Sequence, residues 1–188
     1  MKVERREDWI GNLAILIIQP ESYVRISSEI PVEMVKEWGM EGIFVSANKP
    51  YFTIEETFRR VGILDKIIFV DCISVLTGHH PSGDRVEAIR NPADLTQLAI
   101  SLSKNIERLG EKRFIVFDSL TTLLIYSKLG PLTQFAHSLG VIMKTKRITC
   151  FFLAVDQEAA KDLLSFLSTI ADKFVHVEIN EGGETIVA

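Results

Sequence analysis

Cysteine is nearly absent from this chain. Only Cys72 and Cys150 occur among 188 residues, too few for a disulfide scaffold, and neither belongs to a zinc-type pair. Long apolar runs are missing too: Leu13–Ile18 and Phe151–Val155 fall well short of the roughly 20 residues a membrane helix needs. No charge prevails, since 21 Lys and Arg stand against 25 Asp and Glu for a net charge of −4. That mildly acidic balance exerts no general pull on phosphates, so nucleic acid is not the expected partner. The opening, Met1 to Asp8, mixes both charges and precedes too short an apolar stretch for a signal peptide. Repeats and low-complexity tracts are absent. With 47% apolar and 24% charged residues the composition is that of a globular protein rather than a disordered one. The expectation is one cytoplasmic domain over residues 1–188, without a membrane partner.

Six nearly continuous apolar runs read as buried strands: Leu13–Ile18, Ile43–Ser46, Ile67–Val70, Phe114–Phe117, Ile148–Val155 and Phe174–Ile179. Continuous apolar strands suit a sheet covered on both faces. Helix punctuation lies between them. Ser28 is placed to cap a helix running to Trp38, with Pro31 in its first turn and Gly39 as its stop. Thr53-Ile-Glu-Glu56 has capping-box spacing, and Gly62 closes that segment. Asn91-Pro-Ala-Asp94 begins a third helix with Leu95, Leu98, Leu102, Ile106 and Leu109 on one face. Gly130-Pro131 opens a fourth that buries Leu132, Phe135, Leu139, Ile142 and Met143, and Asp156 is placed to cap a fifth. The alternation predicts a three-layer α/β/α sandwich around a mainly parallel sheet. Asn180-Glu-Gly-Gly183 reads as a hairpin turn into a short antiparallel C-terminal addition. Ser74–Arg90 reads as a long loop.

Chemistry in open α/β sheets sits beyond the carboxyl ends of the strands. A phosphate cradle there needs glycines, because backbone amides must approach the anion closely. None occurs between Asn12 and Trp38, no Gly-Lys-Ser/Thr step follows the first strand, and Glu21 adds like charge. The fourth strand ends differently: Phe114-Ile-Val-Phe-Asp118 puts a carboxylate at its tip, the position from which P-loop NTPases hold the water shell of magnesium. A carboxylate there also serves simply to cap the next turn.

Phe114–Ser119, followed by Leu120, together with Gly42–Asn48 continuing to Tyr51, Ile67–Cys72 and Asn91-Pro-Ala-Asp-Leu95, resembles the RecA-like ATPase core of the KaiC/RadA group. The similarity spans about residues 12–180 and is greatest to archaeal RecA-superfamily proteins of unknown function with a degenerate P-loop. The resemblance implies a RecA-like fold and a tendency to self-assemble. It places the Walker A lysine and hydroxyl around Arg25 to Ser28, where the glycines are missing. It places the catalytic glutamate near Asn48 or Lys49, and neither of these is a base for water. Asp118 alone matches, at the Walker B position.

Three functions follow as expectations. The first is a catalytically inactive, KaiC-like interaction or regulatory module that binds a protein partner or copies of itself, with no cofactor and no metal. The second is a residual binder of ATP with magnesium through Asp118, Ser119, Arg25, Ser27 and Asn48. The third is an unrelated enzyme at the strand-tip edge around Asp71 and Asp118, for which no nucleophile–base pair is identifiable. Elsewhere the ordinary structural role is expected. His79, His80 and Asp84 read as a solvated loop, and Cys72, beside Asp71, as an unreactive thiol. Lys144, Lys146 and Arg147, like Arg59 and Arg60, read as helix-end cations. Tyr51 and Phe52 read as a hydrophobic staple, with Trp38 and Lys49–Phe52 as the alternative docking surface.

Overall fold

The computed structural model describes residues 6–180 and 183–187. Its elements are β1 (Leu13–Ile18), α1 (Pro20–Lys36), β2 (Glu41–Ser46), α2 (Tyr51–Arg60), β3 (Ile67–Asp71), β4 (Val86–Ala88), α3 (Leu95–Ile106), β5 (Arg113–Asp118), α4 (Leu129–Thr145), β6 (Thr149–Val155), α5 (Lys161–Ile170), β7 (Lys173–Asn180) and β8 (Gly183–Val187). The sheet order is β4-β3-β2-β5-β6-β1-β7-β8. β1 to β7 run parallel to their neighbours, and β8 lies antiparallel along β7. The expected hairpin turn includes Glu181 and Gly182, which lie outside the described residues, as do Met1 to Arg5 of the opening segment.

Both faces of the sheet are covered, as the continuous apolar strands predict. Alternate strand residues divide between two cores. Ile15, Ile43, Ile68, Ile115 and Phe152 pack under α3, α4 and α5. Leu16, Phe44, Phe69, Val116 and Phe151 pack under α1 and α2. One close approach fixes a residue type. Gly42 lies opposite Phe114 in the register, and a Cβ there would stand 2.4 Å from the Phe114 ring.

Several boundaries depart from expectation. α1 begins at Pro20, well before Ser28, and carries Pro31 in its interior. Pro20 suits a first helical position because its fixed φ is already helical. Ser28 caps nothing; its hydroxyl donates to the Val24 carbonyl at 3.0 Å. An internal proline costs ~3 kcal/mol. Complete burial of Ile26, Ile30 and Met34, at ~1.5–3 kcal/mol each, outweighs it. α2 begins at Tyr51, so Thr53 is inside the helix and forms no capping box. The Ser74–Arg90 segment is not all loop: Ser74–Thr77 is a 3-10 turn, and Val86–Ala88 pairs with β3. A three-residue strand holding a glutamate has no periodicity to announce it, and it exists because the outer edge of β3 offers partners. Asp156 does not cap α5; it accepts from Gln19 Nε2 at 2.9 Å, and a 3-10 turn over Glu158–Ala160 precedes the helix. Ile142, expected inside, is 36% exposed.

Candidate functional site

The tips of three strands form one row. Ser46 of β2 is in register with Asp71 of β3 on one side and Asp118 of β5 on the other. Side chains alternate along a strand. Phe69 and Val116, two residues before each aspartate, belong to the core under α1 and α2. Both aspartates therefore face those helices. All three residues are buried, the aspartates at 0% and 1% exposure.

Asp118 meets α1. Tyr23 lies in that helix's buried stripe with Ile26, Ile30 and Met34, at helical spacing. Its hydroxyl donates to Asp118 Oδ1 at 2.5 Å. Burial pushes the Asp118 carboxyl up to about 6, against the Tyr23 hydrogen bond and the Lys49 charge, which both pull it down. Tyr23 is raised well above the ordinary phenol value, first by burial and then by the Asp118 charge. Ser119 Oγ stays beside them, exchanging hydrogen bonds with Thr121 Oγ1 at 2.8 Å and Thr122 Oγ1 at 3.0 Å. Sequence reasoning missed Tyr23. The stripe it heads was the available signal, because helix spacing makes Tyr23 buried and strand parity turns Asp118 toward the same face.

The link between β1 and α1 is one residue, Gln19. Pro20 then supplies no amide hydrogen, and Glu21 puts a carboxylate in the first helical turn. Arg25 and Ser27, expected beside the aspartate, lie along α1. Arg25 is exposed, two residues and so about 200° around the helix from Tyr23. Ser27 is buried with its hydroxyl donating to the Val24 carbonyl at 3.3 Å. Asn48 is exposed beyond β2. The geometry thus gathers Asp118, Ser119 and Tyr23, with the Lys49 charge nearby.

Asp71 is spent on the backbone. Oδ1 accepts from the amides of Ile73 and Ser74 at 2.7 and 2.9 Å. Oδ2 accepts from the Tyr51 amide at 2.8 Å and from the Ser74 hydroxyl. The carboxylate thereby caps α2 and the turn after β3, and Pro50, formally the cap position, contributes no side-chain bond.

The remaining candidates resolve individually. Burial first, and Asp71 second, push the Cys72 thiol up to about 12; burial alone raises Cys150. Among the described residues no group of three or more His, Cys, Asp and Glu converges as a metal site. Lys144 pairs with Asp172 at 2.9 Å, and Lys146 and Arg59 pair with Glu107 and Glu55. Tyr51 and Phe52 are the first residues of α2 rather than a staple ahead of it. The Tyr51 ring packs edge-on against Phe69 at 4.9 Å, and Phe52 contacts His79 at 5.1 Å. Trp38, considered for the surface, is buried. No helix among the described residues is long and apolar enough to cross a membrane.

Comparison with known proteins adds the following. Residues 27–186 match the family described as ATPase: KaiC, a match that starts after the β1–α1 link. A KaiC-like protein of the hyperthermophilic archaeon Pyrococcus horikoshii has a similar structure, with a TM-score of 0.58 and 13% identity over 94% of this chain and 76% of its own. An uncharacterised protein of the same organism, crystallised with an unknown peptide, has a TM-score of 0.65 and 14% identity over 94% of this chain and 82% of its own. Both likenesses concern the fold. No curated protein matches the sequence.

Proposed function

The chain belongs to the KaiC ATPase family, and from that premise we infer that it is a member without ATP turnover, acting as an interaction or regulatory module. The observation that carries this reading is the one-residue β1–α1 link. A triphosphate is held by a loop of amides that wraps it, followed by a lysine and a hydroxyl. Gln19 alone provides no such wrap, Pro20 removes an amide and Glu21 repels the anion. At the other end of the site the Tyr23 phenol, in hydrogen bond with Asp118, stands between that carboxylate and the helix. Neither ATP nor its magnesium fits these residues, so no catalytic step is assigned to either. A role in binding protein is favoured by analogy with the similarly folded Pyrococcus protein that was crystallised with a peptide.

The test is calorimetric titration with ATP and magnesium, paired with a phosphate-release assay and a thermal-shift panel of nucleotides. The expected result is no heat, no release and no shift. A nucleotide at a hundredfold excess over its dissociation constant would stabilise the fold by about 2.7 kcal/mol. Such a shift, lost in Asp118→Ala, would replace this reading with nucleotide binding through Asp118.

A further inference from the structure

A cavity of about 600 Å³ runs between the end of α2 and the turn leading into β4. Its volume falls in the range of about 300–1,000 Å³ in which proteins hold small molecules. Neither Asp118, Ser119 nor Tyr23 lines it, so it is a separate site, at the β4 edge of the sheet. The floor is apolar and partly aromatic. Phe69 is buried, and its ring packs edge-on with that of Tyr51 at 4.9 Å. Tyr51, Leu64 and Val86 are only half-buried, which leaves apolar surface for a ring to cover.

Asp65, Asp84 and Arg85 stand around that floor. None of them has an ion-pair partner among the described residues, whereas Arg59, also in the lining, is matched by Glu55. Neighbours on a strand point to opposite faces. Asp84 and Arg85 instead occupy a turn, and both line the cavity. Their backbone is held from two sides. The Asp84 carbonyl accepts from the Arg108 guanidinium just after α3, and the Arg85 carbonyl accepts from the Phe69 amide at 2.8 Å. Opposite charges on a fixed segment suit a ligand that carries both, with little ordering left for binding to offset.

We propose that this cavity binds a free α-amino acid with an aromatic side chain. The ring lies on Tyr51, Leu64 and Val86, and the carboxylate takes the planar fork of Arg85. The ammonium, with three donors, faces Asp65 and Asp84. Two acids and one base match a zwitterion rather than a simple anion, and the Tyr51–Phe69 pair favours an aromatic body over a sugar. The site goes beyond the reading of the protein as a module without ATP turnover and does not depend on it.

Calorimetric titration with phenylalanine tests this, with an expected dissociation constant below about 1 mM. Phenethylamine lacks the carboxylate and 3-phenylpropionate lacks the ammonium, so each should bind at least about tenfold more weakly. Alanine, without the ring, should give no heat. Two variants then assign the charges: Arg85→Gln, and Asp65→Asn combined with Asp84→Asn. All three positions are exposed, and circular dichroism confirms that each variant is folded. Arg85→Gln should weaken phenylalanine about tenfold without weakening phenethylamine. The double substitution should weaken phenylalanine likewise without weakening 3-phenylpropionate. No heat from millimolar phenylalanine would overturn the site. So would alanine or either analogue binding as tightly as phenylalanine, or a variant binding it like the wild type. N-acetylphenylalanine amide binding equally well would also overturn it, giving the cavity to the side chain of a peptide. Failure here leaves the ATP titration untouched, and heat from ATP leaves this site standing.

Discussion

Asp71 and Asp118 occupy the same level of the sheet, either side of Ser46, and both are shut away from water. Their surroundings nevertheless differ. Asp71 is met by three backbone amides and a hydroxyl, all from residues within 20 positions of it or closer. Among the described residues the Asp118 carboxylate accepts one hydrogen bond, from a phenol 95 positions away, and burial holds its carboxyl near 6. A buried carboxylate surrounded by donors organises the chain around it, whereas one with a single donor costs the fold energy. The first is the cap that shapes two turns. The second is a charge retained at a strand tip where little in the protein rewards it.

Substitution at each tip should move stability in opposite directions. Asp71→Ala leaves three amides facing a hole and should lower unfolding free energy by at least about 3 kcal/mol, measured by urea denaturation. A loss under about 1 kcal/mol would show that water or neighbouring carbonyls replace the carboxylate.

Asp118→Asn keeps the acceptor for Tyr23 and removes the charge. It should stabilise the protein at pH 7 by roughly 2 kcal/mol, with the difference from wild type vanishing near pH 4. The sign follows from the raised carboxyl. On raising the pH the unfolded chain, with an aspartate near 3.9, gives up its proton first. Wild-type stability from this group is therefore full below about pH 4 and is lost as pH rises through about 6. A flat difference across that range would mean that Asp118 is satisfied as a charge.

Tyr23→Phe is the finest of the three probes. It removes the phenol donor to the Asp118 carboxylate and should cost about 1.5 kcal/mol at pH 7. It should also move the midpoint of the pH transition upward, because the Tyr23 hydrogen bond is one of the influences lowering the Asp118 carboxyl. A midpoint moving downward would contradict the donor role assigned to the phenol.

The strands were legible because each is a continuous apolar run, and all six predicted runs fall within observed strands to about a residue. Ile148, next to Thr149, is the exception at an edge. The start of α1 was not legible, because Gln19-Pro20 carries no capping side chain while Ser28 and Pro31 resemble a beginning. For the candidate site, Asp118 at the end of its run could be read directly. Tyr23 could not, since its significance depends on a residue 95 positions away and only the buried stripe of α1 hints at it.

By itself, then, the order of residues determined the layered parallel sheet, the two aspartates at strand tips and the lack of glycine after the first strand, because these depend on periodicity and local conformational freedom. The tertiary structure alone decided which aspartate caps a helix and which meets a phenol, and that Val86–Ala88 becomes a strand. Those outcomes depend on which donors and edges the packed helices bring within hydrogen-bonding distance, and hydrogen bonding acts only over about 3 Å.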